Sequence, residues 1–122
     1  MSLVQVAVGV VLDGAGQVLI ARRAAHLHQG GLWEFPGGKL EAGESVLQAL
    51  QRELQEEIGI LVEQAEFWFT QEHHYPDKSV ALHICKVSRF SGQPQGLQDQ
   101  PLRWVDIAAL PQVPVPEANR AV

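Results

Sequence analysis

Residues 45–58 carry the pattern that most limits how this chain folds. Val46, Leu47, Leu50, Leu54 and Ile58 recur at three- and four-residue spacing, which gathers them into one apolar stripe on an α-helix. Both ends are marked. Ser45 with Gln48 three residues later matches a capping box, and Gly59 stands where a glycine supplies the left-handed turn that ends a helix. Around this helix the chain reads as strands. Residues 4–11 and 18–21 are apolar runs separated by Asp13-Gly14-Ala15-Gly16, predicting a hairpin. Residues 32–35 form a short strand that Pro36-Gly37-Gly38 is expected to stop. Further strand-like runs lie at 60–62, 65–70, 80–87 and 102–105, with a short helix at 107–110. Residues 22–31 have no period and read as an exposed loop. Pro111, Pro114 and Pro116 exclude regular helix or central strand. The fold class is α/β (α+β).

At 122 residues and 46% hydrophobic content, the chain fits a single domain with an ordinary core over residues 1–122. Its formal charge of −5 argues against binding a nucleic acid duplex through the phosphates, which needs an excess of Lys and Arg. The same acid excess repels any anionic nucleotide, unless some carboxylates hold a cation that reverses the local sign. One cysteine, Cys85, cannot form an internal disulfide. No signal peptide opens the sequence, and no window reaches the roughly 18 apolar residues of a membrane span. A cytoplasmic protein with no membrane partner is expected, and a monomer.

Within the helix, Glu53, Glu56 and Glu57 are three and four residues apart, so a period of about 3.6 residues brings them to one flank. Like charges at that spacing repel, and either open solvent or a cation must offset them. Glu53 and Glu57 lie beside the stripe of Leu50, Leu54 and Ile58, at the rim of the core, where converging oxygens suit Mg²⁺ or Mn²⁺. Just upstream come Pro36-Gly37-Gly38-Lys39, Glu41, Gly43 and Glu44, where glycines let the backbone approach a metal or phosphate. Arg52 points away from the stripe and can pair with Glu44 or Glu56, fixing a carboxylate's orientation. Other polar positions have plainer readings. Glu72, His73 and His74 alternate faces of a strand and are read as surface polarity, while His83 and Cys85 share one strand face. Trp33, Trp68 and Trp104 are read as core.

Gly38, Glu44 and the run Arg52-Glu53-Leu54-Gln55-Glu56-Glu57-Ile58-Gly59-Ile60 match every defined position of the Nudix box. The wider chain resembles the MutT branch of that family, the 8-oxo-dGTP diphosphatases. That likeness runs from Val6-Ala7-Val8-Gly9-Val10 through Arg22-Arg23-Ala24-Ala25, His28, Glu34-Phe35-Pro36-Gly37-Gly38-Lys39, Tyr75-Pro76-Asp77 and Gln100-Pro101 to Pro116-Glu117-Ala118-Asn119. The resemblance implies a Nudix fold, a mixed β-sheet sandwiched between helices. It implies Mg²⁺, with Mn²⁺ as a substitute, on Glu53, Glu56, Glu57 and the Gly37 carbonyl, with Arg52 orienting Glu53 and Glu44 supporting the loop. Arg23, His28, Glu34, Phe35, Pro36, Gly37, Lys39, Lys78 and Asn119 would contact the nucleotide. Asn119 would read the oxidised purine through its amide, which offers both a donor and an acceptor.

The implied activity is hydrolysis of a nucleoside triphosphate, 8-oxo-dGTP first, to the monophosphate and pyrophosphate by attack of water at the β-phosphorus. Such a role would serve nucleotide-pool sanitation. One position departs from the branch: its further catalytic glutamate is matched here by Gln98, with Asp99 beside it, and a Gln cannot be a general base. Either Asp99 or an acid of the box would then take that role, or activity would be low. The chain also ends at Val122, soon after Asn119, where the family continues a final helix, so a trimmed end or a longer parent chain is expected. Three other functions compete: a Nudix hydrolase of modified cytidine triphosphates, a non-catalytic nucleotide-sensing module, and a base-recognition domain of a repair glycosylase.

Overall fold

A computed structural model describes residues 3–22, 32–98 and 100–108. Its elements are β1 (Leu3–Val11), β2 (Gln17–Arg22), β3 (Trp33–Glu34), β4 (Gly37–Lys39), α1 (Val46–Ile58), β5 (Leu61–His74), β6 (Ser79–Ser91) and β7 (Leu102–Asp106). They form a four-stranded sheet ordered β4-β1-β6-β5 and a three-stranded sheet ordered β3-β2-β7. The first sheet is mixed: β1 runs parallel to β6, while β4 and β5 pair antiparallel to β1 and β6.

Alternation along β1 sorts its side chains onto two cores, because successive residues of a strand face opposite ways. Ala7 and Val11 join Ala49, Leu50, Leu54 and Ile58 of α1, with Cys85 and Val87 of β6. Val8 and Val10 join Val18 and Ile20 of β2, Phe35, Ile84 and Val105. Helix α1 therefore covers one side of the mixed sheet, and strands of the second sheet close the other. Among the described residues α1 is the one α-helix; residues 107–108 begin a 3₁₀ turn at the position read as a short helix.

The helix ends are as the sequence predicts. Ser45 accepts from the Gln48 N–H, Gln48 returns the bond to the Ser45 N–H, and Gly59 adopts φ 70° with its N–H on the Gln55 carbonyl. The 32–35 strand does stop before Pro36, ending at Glu34, and Gly37–Lys39 then opens a separate strand of the other sheet on Val6–Val8, where absent side chains allow close approach. Three expectations are corrected. The 4–11 and 18–21 runs are not one hairpin: apart from a single bridge between Leu12 and Val18, β1 and β2 belong to different sheets, and each forms its long ladder elsewhere, β1 with β6 and β2 with β7. The runs at 60–62 and 65–70 are one long strand kept continuous through register shifts at Val62/Gln64, Gln64/Ala65 and Phe67/Phe69. Leu47 stands outside the stripe, 41% exposed, and Ala49 is buried in its stead.

Candidate active site

Arg52 on the second turn of α1 is the hub of the acidic cluster. Its Nε–H and Nη2–H both reach Glu44, at 2.7 and 2.8 Å, the two-pronged geometry that only a guanidinium offers a carboxylate. Its Nη1–H donates to Glu53 at 2.6 Å and, more loosely, to Glu56 at 3.4 Å, and Nη2–H also reaches the Lys39 carbonyl at 3.0 Å. Glu41 adds an ion pair at 3.7 Å and its N–H donates to Glu44. Glu44 is accordingly held down to about 2, first by the Arg52 bonds and then by the Glu41 N–H. It stays ionised, and so does Arg52, which Glu44 and then Glu53 hold further above its ordinary range.

The three helix acids do not share one environment. Glu53 is 15% exposed and Glu56 is 57% exposed, turned toward water. Glu57 is half-buried against Gly37 at the start of β4. Desolvation, then the charge of Glu53, push its carboxyl up to about 8, with a smaller push from Glu34 and a counteracting hydrogen bond from the Gly37 N–H. The contact to Gly37 thus runs through its N–H. Gly38 completes the crevice, since a Cβ there would occupy the space of the Glu53 carboxylate. At Gly37 a Cβ would overlap the Ala7 carbonyl of the neighbouring strand. Two consecutive glycines are what bring backbone and carboxylates this close.

That crevice suits a divalent cation. Four carboxylates share one guanidinium, and Glu57 is penalised for its charge where another acid lies nearby; a hard cation with oxygen ligands removes both penalties. Among the described residues, no three His, Cys, Asp or Glu side chains lie grouped so as to hold a metal ion by themselves; Mg²⁺ is commonly bound through one or two carboxylates together with waters and substrate phosphates.

The other expected contacts are spread more widely. Glu34 pairs with Ala21 across β2–β3, and Phe35 is buried in the core between the sheets. The Pro36 carbonyl accepts from the Gly9 N–H at 2.8 Å. Lys39 ends β4, exposed, and with Gln5, Glu41, Glu44, Ser45 and His83 it lines a groove of about 640 Å³, so the loop presenting Glu44 to Arg52 also walls an open trough. Lys78 is in the β5–β6 turn, bonded through its carbonyl to the Tyr75 N–H. That turn immediately precedes the Leu3–Ser79 pair, five β1 residues from the Val8–Gly37 pair, a separation on the order of 17 Å along the strand. Arg23, His28, Asp99 and Asn119 lie outside the described residues.

Among residues read as bystanders, His74 bonds Ser79 at 2.6 Å and His73 packs edge-on against Tyr75, so neither assembles with Glu72. Trp104 stacks on Phe90, and Trp33 packs beside the inter-sheet core. Trp68 corrects the core reading: it is 45% exposed on edge strand β5, with its Nε1–H on Glu66 and Lys86 over its ring. A group that the sequence did not mark is the β6–β7 connection. Gln95 and Leu97 donate their N–H groups to the carbonyls of Ile58 and Glu57, and the Gln100 side chain donates to the Glu57 carbonyl as well. Contacts between residues some forty positions apart leave no periodic trace, and Gln100 stood out only within a family-like motif.

Comparison with known proteins agrees with this geometry. The model of the NUDIX domain matches residues 7–122. An 8-oxo-dGTP diphosphatase of Escherichia coli K12 is 38% identical over all of this chain and 95% of its own length. A CTP pyrophosphohydrolase of the same organism is 36% identical over 98% of this chain and 87% of its own. A solved MutT structure, from a study of the Aliivibrio salmonicida and Vibrio cholerae proteins, superimposes with a TM-score of 0.84 at 38% identity, covering 98% of this chain and 93% of that one. The acid crevice, the capped helix that carries it and the match across nearly the full sequence lead to one assignment: this chain belongs to the NUDIX domain family.

Proposed function

We propose that the chain is a metal-dependent nucleoside triphosphate pyrophosphohydrolase acting first on 8-oxo-dGTP, as one cytoplasmic domain over residues 1–122. The observation that carries this reading is the crevice in which Glu53 and Glu57, backed by Gly37 and Gly38, meet the Arg52–Glu44 pair. Identity to an 8-oxo-dGTP diphosphatase across the whole chain supports the substrate.

Glu53, Glu56 and Glu57 are the side chains that would hold Mg²⁺. When bound, such an ion neutralises polyphosphate oxygens and lowers the pKa of nearby water. Arg52 keeps the Glu53 carboxylate aimed into the crevice, and Glu44 in turn keeps Arg52 in place. In the reaction the oxygen of water bonds to the β-phosphorus. The bond from that phosphorus to the oxygen bridging the α-phosphorus breaks, and the nucleoside monophosphate departs with the electron pair. A carboxylate of this acid group takes the proton of the attacking water. Gln98, which has no acidic proton to exchange, takes no part in this transfer.

The test is pyrophosphate release from a panel of ordinary and oxidised nucleotides with Mg²⁺. A kcat/KM for 8-oxo-dGTP at least tenfold above that for dGTP, about 1.4 kcal/mol, is expected. A second reading, hydrolysis of cytidine triphosphates, is favoured by the 36% identity to a CTP pyrophosphohydrolase. CTP or a modified cytidine triphosphate as best substrate would replace the first reading with the second, and no pyrophosphate from any member would end both.

A further inference from the structure

An α-helix leaves its last carbonyls without donors of its own, and whatever supplies those donors fixes where the final turn lies. In α1 the Gln55 carbonyl takes the Gly59 N–H. The Ile58 carbonyl takes the Gln95 N–H at 3.0 Å, and the Glu57 carbonyl takes two donors, the Leu97 N–H and Gln100 Nε2–H, each at 3.0 Å. Backbone donors are available from any sequence. Gln100 is the side chain among them, and it uses both ends of its carboxamide, because its Oε1 accepts the Gln98 N–H at 2.8 Å.

We propose that Gln100 is a positioning residue for the site acids: its carboxamide clips the last turn of α1, and Glu57 with it, to the β6–β7 connection. This rests on the reading that Glu57 works in the crevice. The geometry gives Glu57 two holds, Gln100 on its backbone carbonyl and the Gly37 N–H on its carboxylate. Loosening the first lets the helix end drift relative to β4, which degrades the second. Only a carboxamide serves here among side chains of this length, since a carboxylate lacks the donor and an alkyl chain lacks both groups. The clip has a firm base. Pro101 follows Gln100 directly, and its carbonyl accepts from the Arg22 N–H at 3.1 Å, tying the connection to the end of β2. Gln100 acts through Glu57 and has no contact with the reacting atoms in this account.

The test compares the parent with Gln100→Met, which keeps length but removes donor and acceptor, and Gln100→Glu, which keeps an acceptor for the Gln98 N–H but loses the donor to Glu57. Mn²⁺ alone is the binding probe, its Kd read from the electron paramagnetic resonance of the free ion, alongside kcat, KM and a urea melt. Residues that orient metal ligands are worth about 10- to 100-fold. Both variants are expected to weaken Mn²⁺ binding and lower kcat by about tenfold or more, with KM within about threefold of the parent. A folded variant whose Mn²⁺ Kd and kcat stay within about twofold overturns the proposal, whatever its stability. Loss of folding in both variants overturns it too, since Gln100 would then be holding the fold and not aligning the acids. A parent that neither binds Mn²⁺ nor turns over removes the reading of the crevice itself, which separates that failure from failure of the clip.

Discussion

Glu53 and Glu57 stand one helical turn apart and face the glycine strand β4, whereas Glu56, between them in sequence, turns toward water and touches Arg52 only at 3.4 Å. Burial and contact therefore rank three chemically identical side chains. Glu53→Gln and Glu57→Gln are each expected to lower kcat by at least about a hundredfold, the scale of lost general-base or metal assistance. Glu56→Gln is expected to lose less than either. Steady-state kinetics with saturating Mg²⁺ decides it, and near-normal turnover in both of the first two variants would refute the proposed mechanism. Periodicity alone placed all three acids on one flank. It could not separate them, because the separation comes from Gly37 and Gly38, and a one-dimensional pattern does not say which flank a distant loop will cover.

At the scale of elements, α1 was legible because everything that defines it is local: stripe, capping box and terminal glycine fall within fifteen consecutive residues. Gly59 at φ 70° is the sharpest instance, and a Cβ there meets strain from the left-handed backbone and close contact with Leu97. Gly59→Ala is expected to destabilise the chain by about 1–2 kcal/mol. A urea melt should show a lower midpoint with an unchanged slope; an unshifted midpoint would mean that the helix ends differently. Strand pairing was less legible. Two apolar runs with a turn between them look alike whether they pair together or part into two sheets, and here β1 forms its long ladder with β6 and β2 with β7. Strand β4 was hidden since Gly-Gly-Lys has no apolar alternation, although its pairing with β1 is what carries the glycines to the acids.

For the whole molecule, the crevice ties stability to pH through Glu57. Its carboxyl is raised from the ordinary value of 4.5 to about 8 in the folded chain, by desolvation first and Glu53 second, so between those values the folded state keeps a proton that the unfolded state has released. Stability falls with rising pH wherever the folded state binds more protons. The contribution of Glu57 is therefore greatest below about pH 4.5, declines as pH rises toward about 8, and is flat beyond. Glu44 works in the opposite sense but in another window, its stabilisation being lost as pH falls from 4.5 toward 2. A parallel series on Glu57→Gln isolates the effect, because the amide has no proton to lose. In EDTA, the parent's Tm relative to that variant is expected to drop steadily from pH 5 to pH 8. Excess Mg²⁺ is expected to raise the parent's Tm most at the alkaline end, where the ion no longer competes with the proton for Glu57. A difference that stays level or rises across that range in EDTA would mean that Glu57 is not held in a desolvated, acid-crowded crevice, and the electrostatic case for a cation there would lose its main support.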